Sequence, residues 1–190
     1  RKQIKMSLDS VNCFNIATQP GIIDDRGLNL FQSRWKSKAL CRLYFNGDVK
    51  EGYFKRMFNE CNRNIFRTIE AMETRLDNIL FRAHFTHSVF NARKMITEGK
   101  VLVNGNKAYY PSKMLRPGDI VQLDQPCWDE VTKIADNPYL KIWAFVPKYL
   151  EVNYSILAAV LISHPKIDEV PSPYPKEMIE KMGAYYQKFS

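Results

Sequence analysis

RLDNILFRAHFTHSVFNARKMITEGKVLVNGNKAYYPSKMLRPGDIVQLD, Arg75 to Asp124, is the stretch that decides the fold. Met72, Leu76, Ile79, Leu80 and Ala83 recur at helix spacing around its start. Ser88 suits the N-cap of a second short helix, in which Ala92, Met95 and Ile96 share a face and Gly99 suits a left-handed stop. Val101 to Val103 is strand-like, and Asn104-Gly105 signals a hairpin because both positions tolerate positive φ. Pro117-Gly118-Asp119 turns the chain into a last strand, Ile120 to Leu123. Two helices followed by strands, in about fifty residues, make a small module.

The charges of this module look one-sided. Arg75 and Arg82 lie seven residues apart on one predicted helix face, with Asn78 between them. Arg93 and Lys94 project from the second helix, while Lys100, Lys107, Lys113 and Arg116 fall on turns or strand ends. The stretch holds eight basic and four acidic residues. Any one of these cations reads as solvated surface; the set, on a frame of two helices and a hairpin, reads as a phosphate-binding face. Arg75, Arg82, Arg93, Lys94, Lys100 and Lys107 are expected on one side.

Arg75-Leu76-Asp77, Ser88 with Ala92-Arg93, Gly99, Val101 to Gly105, Pro111-Ser112 and Pro117-Gly118-Asp119 form an ordered set. With that set the stretch resembles the RNA-binding module named after small-subunit ribosomal protein S-four. The resemblance implies two helices and a hairpin that grip structured RNA. The expected RNA contacts in the module are Arg75, Asn78, Arg82, Ser88, Arg93, Lys94, Lys100, Asn104, Lys107, Ser112, Lys113 and Arg116. Val89 departs from the pattern, standing where many members carry a basic residue.

A chain of 190 residues is long enough for one or two domains with a real core. Its formal charge of +8 favours an acidic polymer as partner. Residues 1–67 hold thirteen basic and six acidic side chains, but after Asp124 there are seven and eight. The RNA-facing part is therefore expected in the first two-thirds, and the last third is expected to pack or to meet protein. Cys13, Cys41, Cys61 and Cys127 are too dispersed for a zinc knuckle or a redox motif and read as free thiols. The clustered N-terminal cysteines with which some bacterial members of the family bind zinc are absent. The longest apolar run, Ile156 to Ile162, is too short to span a bilayer. The chain opens on Arg1 rather than Met, which is compatible with a removed targeting segment as well as with a partial sequence.

Upstream, the first thirty residues read as an extended arm. Leu28, Phe31, Trp35, Ala39 and Leu43 then form an apolar helical stripe ended by Asn46-Gly47, with Arg34, Lys38 and Arg42 repeating beside it. An amphipathic helix with a solvated basic face is one reading; next to the module, phosphate contact by these three is the expectation. A second helix is predicted from Val49 to Phe58, with Tyr53, Phe54, Met57 and Phe58 as core candidates. This segment sits where S-four proteins carry their N-terminal helical part. Its Trp-Lys, Tyr and Asn-Gly pattern resembles the fungal mitochondrial branch, and the bacterial glycine-rich loop is missing.

Downstream, Gln125 to Ala144 reads as a poor linker in which a break in the ordered chain is expected, since mitochondrial members often carry insertions there. Pro147-Lys148-Tyr149-Leu150-Glu151-Val152 matches the family's returning strand, and Ala158 to Ile162 suits its partner. Ile179, Met182, Tyr186 and Phe189 give a short terminal helix one apolar face. The expected fold class is α+β: a helical N-terminal part, an S-four-type module of two helices plus a small antiparallel sheet, then a C-terminal strand, extended segment and short helix. The expected segments are 1–67, 68–124 and 125–190.

His84 and His87 lack a third ligand nearby, so neither a metal nor a cofactor is expected. There is no phosphate-binding loop, HExxH or nucleophile elbow. Tyr109 and Tyr110 offer rings to stack on bases, with packing against the hairpin the competing reading for at least one. Arg75-Leu76-Asp77 imitates the catalytic R-L-D motif of RNA pseudouridine synthases, which also carry S-four-type modules. A synthase would need a further catalytic domain, and residues 125–190 are too few and contain no Arg. A stand-alone module, as in ribosome-rescue proteins, would leave the flanks unexplained. The resemblance therefore implies a non-catalytic rRNA-binding protein of the mitochondrial small ribosomal subunit, in the matrix. Its partners would be small-subunit rRNA and neighbouring ribosomal proteins; neither a membrane nor a homo-oligomer is expected.

Overall fold

The computed structural model describes residues 4–18, 27–46, 49–124, 131 and 145–189. The chain divides into two compact units. One holds Arg1–Met6, Val11–Ile69 and Pro171–Ser190; the other holds Ser7–Ser10 and Glu70–Val170. Three consecutive segments were the expectation. The described part of the last third is shared between the two units.

The first unit is helical among its described residues. Where an extended arm was expected, α1 (Ser10–Thr18) forms. Asn12 ties it back, with Oδ1 accepting from the Lys5 amide at 3.0 Å and Nδ2 donating to the Lys5 carbonyl at 2.8 Å. The next helix, α2 (Leu30–Asn46), starts at a reciprocal cap. The Gln32 amide donates to Asn29 Oδ1 at 2.8 Å, and the Asn29 amide to Gln32 Oε1 at 3.2 Å. Its buried face differs from the stripe read in the sequence. Phe31 and Trp35 remain 49% and 51% exposed, whereas Ser33, Ser37, Cys41, Tyr44 and Phe45 are buried. Small side chains let helices approach closely, where a Trp would hold them apart. The last helix, α7 (Lys176–Phe189), packs on α2.

The helix α3 (Glu51–Glu60) starts two residues later than expected and buries Phe54 and Phe58, whose rings lie 4.8 and 5.7 Å from that of Tyr186. Asn64 Oδ1 caps α4 (Ile65–Glu73) by accepting from the amides of Phe66 and Arg67 at 3.0 and 3.2 Å. Sequence spacing had run Met72 into the following helix; it belongs to α4. Ile179, Met182 and Tyr186 of α7 are buried as expected. The side chain of Phe189 lies outside the described residues.

The second unit contains α5 (Leu76–Arg82), α6 (Val89–Thr97) and a five-stranded antiparallel sheet. Its strands are β1 (Val101–Val103), β2 (Asn106–Lys107), β3 (Ile120–Leu123), β4 (Leu150–Asn153) and β5 (Ala158–Leu161), in the order β2-β1-β3-β5-β4. Ser88 Oγ accepts from the Asn91 amide at 3.3 Å and so caps α6, whose Ala92, Met95 and Ile96 are buried. At the other end Gly99 takes φ +70°, with Lys100 N–H on the Met95 carbonyl and Gly99 N–H on that of Ile96. That is a Schellman stop. Asn104 and Gly105, at φ +51° and +79°, make the tight hairpin turn between β1 and β2. The core gathers Leu76, Ile79 and Leu80 with Val101, Val121, Ala159 and Leu161. Val131 joins it; the expected break between Gln125 and Ala144 otherwise lies outside the described residues, as does Cys127.

The tightest test of the first unit is Gly183. A Cβ added there would lie 2.8 Å from Ile65 Cγ2 and 2.9 Å from Ile65 Cβ. Gly183→Leu should lower stability by about 1–3 kcal/mol in urea unfolding. Adding Ile65→Ala should restore part of that loss, a coupling that a double-mutant cycle reads directly.

Candidate nucleic-acid interface

Two buried carboxylates organise the arginines that the sequence reading placed on the surface. Glu73, at the end of α4, is 1% exposed. Arg82, the last residue of α5, meets it fork to fork, Nε to Oε2 and Nη2 to Oε1, both at 2.9 Å. Tyr149, just ahead of β4, donates its hydroxyl to Glu73 Oε2 at 3.1 Å. The tyrosine of the returning-strand motif thus joins a buried ion pair.

The second carboxylate is Asp77, fully buried in the first turn of α5. Arg75 grips it through Nε and Nη2 at 3.0 and 2.8 Å, and Arg93 of α6 adds Nε at 2.8 Å. Asp77 Oδ1 also accepts from the Asn78 amide at 3.0 Å. Asn78 is itself buried, Nδ2 donating to the Met72 carbonyl at 2.7 Å. Arg75, Arg82 and Asn78 are therefore corrected from surface contacts to interior supports. Arg93, 20% exposed, stands at the edge of the cluster. The physical reason is that an unpaired buried carboxylate is far costlier than a paired one, so the nearest guanidinium groups turn inward. Asp77 is held by two cations and away from solvent.

The loop before β3 completes the frame. The Leu76 amide donates to the Lys113 carbonyl at 2.9 Å and the Asp77 amide to that of Pro111 at 3.3 Å. These bonds satisfy two free N–H groups at the start of α5 and seat residues 110–116 beside it. Ser112, Lys113 and Arg116 are exposed on that loop, and Tyr110 is 76% exposed. Tyr109, 53% exposed, has one ring edge against Gly99, whose missing Cβ would lie 2.7 Å from Tyr109 Cε1. On α6, Lys94 is 76% exposed, and Phe90 beside it is also exposed, a surface aromatic that spacing alone did not single out.

The remaining candidates are partly engaged. Lys100 pairs with Glu98 at 2.8 Å, which holds the Glu98 carboxyl below its usual range, and Lys107 lies 3.4 Å from Asp124. Asn104 latches the hairpin to the next turn, Oδ1 accepting from the Ile120 amide and Nδ2 donating to Asp119 Oδ1. The Arg116 amide, and then Asn104, hold the Asp119 carboxyl low. In the first unit, Lys38 and Arg42 both reach Glu51, at 3.0 and 2.7 Å, so the expected comb of three cations reduces to a half-buried Arg34.

His84, at φ +58°, is buried beside Arg82, and burial pushes its imidazole down to about 4. Among the described residues no group of three or more His, Cys, Asp or Glu could hold a metal ion. Burial raises the Cys41 thiol to about 12. No described helix is long and apolar enough to cross a membrane.

A helix pair with a Schellman stop, a tight hairpin and a loop docked on the first helix define the S4 domain, whose profile matches residues 74–121. The likeness extends well beyond that domain. The chain is 32% identical over 148 residues to small ribosomal subunit protein uS4 of Chelativorans sp. (strain BNC1), covering 76% of this chain and 71% of the relative. For the uS4 protein of Ruegeria sp. (strain TM1040) the figures are 31% over 162 residues, 80% and 72%. For that of Sphingopyxis alaskensis they are 32% over 161 residues, 83% and 74%. The chain belongs to the uS4 family of small ribosomal subunit proteins.

Two measurements test the inward arginines and the neutral histidine. In urea unfolding, Arg82→Ala should cost about 3–5 kcal/mol, Tyr149→Phe about 1.5–3 kcal/mol, and Lys94→Ala less than about 0.5 kcal/mol. A tolerated Arg82→Ala would remove the ion pair from the fold's foundations. His84 binds a proton near pH 6.5 when unfolded but only near pH 4 when folded, so its contribution is present above that window and lost as pH falls through it. Between pH 7 and 5 the wild type should lose about 2 kcal/mol more than His84→Asn, which keeps a residue tolerant of positive φ.

Proposed function

We propose that this chain is a non-catalytic, rRNA-binding structural protein of the small ribosomal subunit, and that it serves in mitochondria. The observation that carries the RNA reading is the exposed surface of the S4 domain. Lys94 on α6, with Lys113 and Arg116 on the loop docked against α5, stands free of the buried carboxylates. Arg93 borders them, and Tyr110 and Phe90 offer exposed rings. Cations on helices and turns contact phosphates, and structured RNA is read largely by shape, phosphate and 2′-hydroxyl contacts. Similarity to uS4 proteins over three-quarters or more of the chain supports a ribosomal role over that of an isolated module. The mitochondrial part rests on the Trp35-Lys36, Tyr44 and Asn46-Gly47 pattern, since the three relatives described are bacterial.

Lys94→Ala/Lys113→Ala/Arg116→Ala should weaken binding to cognate and unrelated structured RNA alike. It should also flatten the dependence of log K on log salt by roughly two to three counterions. Loss of cognate binding at an unchanged salt slope would overturn the phosphate reading. Sedimentation of fractionated cells tests the location: the chain is expected with mitochondrial small subunits, and recovery only with cytosolic ones would refute it.

A further inference from the structure

The sheet of the second unit has two faces, and the strand register separates them. Val101, Val103, Val121, Leu123, Ala159 and Leu161 turn into the core. Ile120 is directly opposite Val160, and Val160 opposite Glu151, so these three form a row across β3, β5 and β4 on the other face. Ile120 is 42% exposed and Val160 partly exposed. Ile162, two residues on from Val160, is 53% exposed. The open face of an antiparallel sheet is ordinarily polar. This end of it is apolar, with an exposed carboxylate from Glu151 at its edge strand.

We propose that the Ile120–Val160–Ile162 face docks a neighbouring protein of the small subunit, through apolar side chains and one Lys or Arg placed to meet Glu151. This rests on the ribosomal reading and adds to it the surface and the chemistry of the contact. Charge selects the occupant. A carboxylate beside an apolar row repels phosphate, and the lysine in the neighbouring row of that face, Lys107 opposite Leu102, lies 3.4 Å from Asp124. A protein surface with an apolar centre and a charged rim matches it in both respects. The charge distribution agrees, because the seven basic and eight acidic residues after Asp124 break with the basic bias upstream.

The test places a photo-crosslinking amino acid at position 120, 162 or 94 of the full chain, assembled into small subunits and analysed by mass spectrometry. Crosslinks from 120 and 162 to one protein, with 94 reaching rRNA, are expected. Crosslinks from 120 and 162 to rRNA, or none while 94 still reaches rRNA, would overturn the docking surface alone. Absence of the chain from small subunits would overturn the ribosomal reading, and the docking surface with it. Glu151→Lys should lower the protein crosslink about tenfold while affinity for isolated rRNA holds or rises. An undiminished crosslink would remove Glu151 from the contact.

Discussion

A carboxylate–guanidinium pair sealed from water, Glu73 with Arg82, is the constraint on which the second unit depends. Two charges in a protein interior are tolerated only when their geometry is good and their remaining hydrogen-bonding capacity is used. Here the pairing is bidentate, and Tyr149 adds a bond to Glu73 Oε2. Three separated parts of the chain are thereby fixed: the end of α4, the end of α5 and the approach to β4. Moving any of them would leave a buried charge short of a partner.

Asp77 repeats the device in the first turn of α5, and between them the two carboxylates engage Arg75, Arg82 and Arg93. The module's basic character at its surface is therefore carried by lysines and by Arg116. Arg suits the buried role because its planar fork matches a carboxylate and it is more weakly hydrated than an ammonium. Lys94, Lys107 and Lys113 remain exposed, on a helix, a strand and a loop. The outcome is a rigid interior that orients the elements and a surface whose cations are set by those elements' positions.

Much of the second unit was legible because its signals are local. Ser88, Gly99, Asn104-Gly105 and Pro117-Gly118 each specify a cap or turn through their own backbone preferences. The structure uses all of them as read. What escaped was pairing across distance. Nothing local tells that Arg82 looks back nine residues to Glu73, or that Tyr149 arrives 76 residues later. The clue available was two acids, Glu73 and Asp77, close to the apolar positions Met72, Leu76, Ile79 and Leu80. In α2 the error had a different origin: hydrophobicity pointed to Phe31 and Trp35, but close helix packing favours small side chains, and Ser33 and Ser37 took the interior.

That same substitution of small for large leaves aromatic surface on the first unit, just as the sheet leaves Ile120 and Ile162 on the second. The two surfaces differ in their charged neighbours. In the sequence Trp35 stands between Arg34 and Lys36, whereas Glu151 borders the sheet row. An aromatic ring among cations can stack on a base while its neighbours hold the phosphate. An aliphatic row beside a carboxylate has no such use, and its burial gains most from another apolar surface. Charge, more than hydrophobicity, thus distinguishes the surface proposed for RNA from the surface proposed for protein.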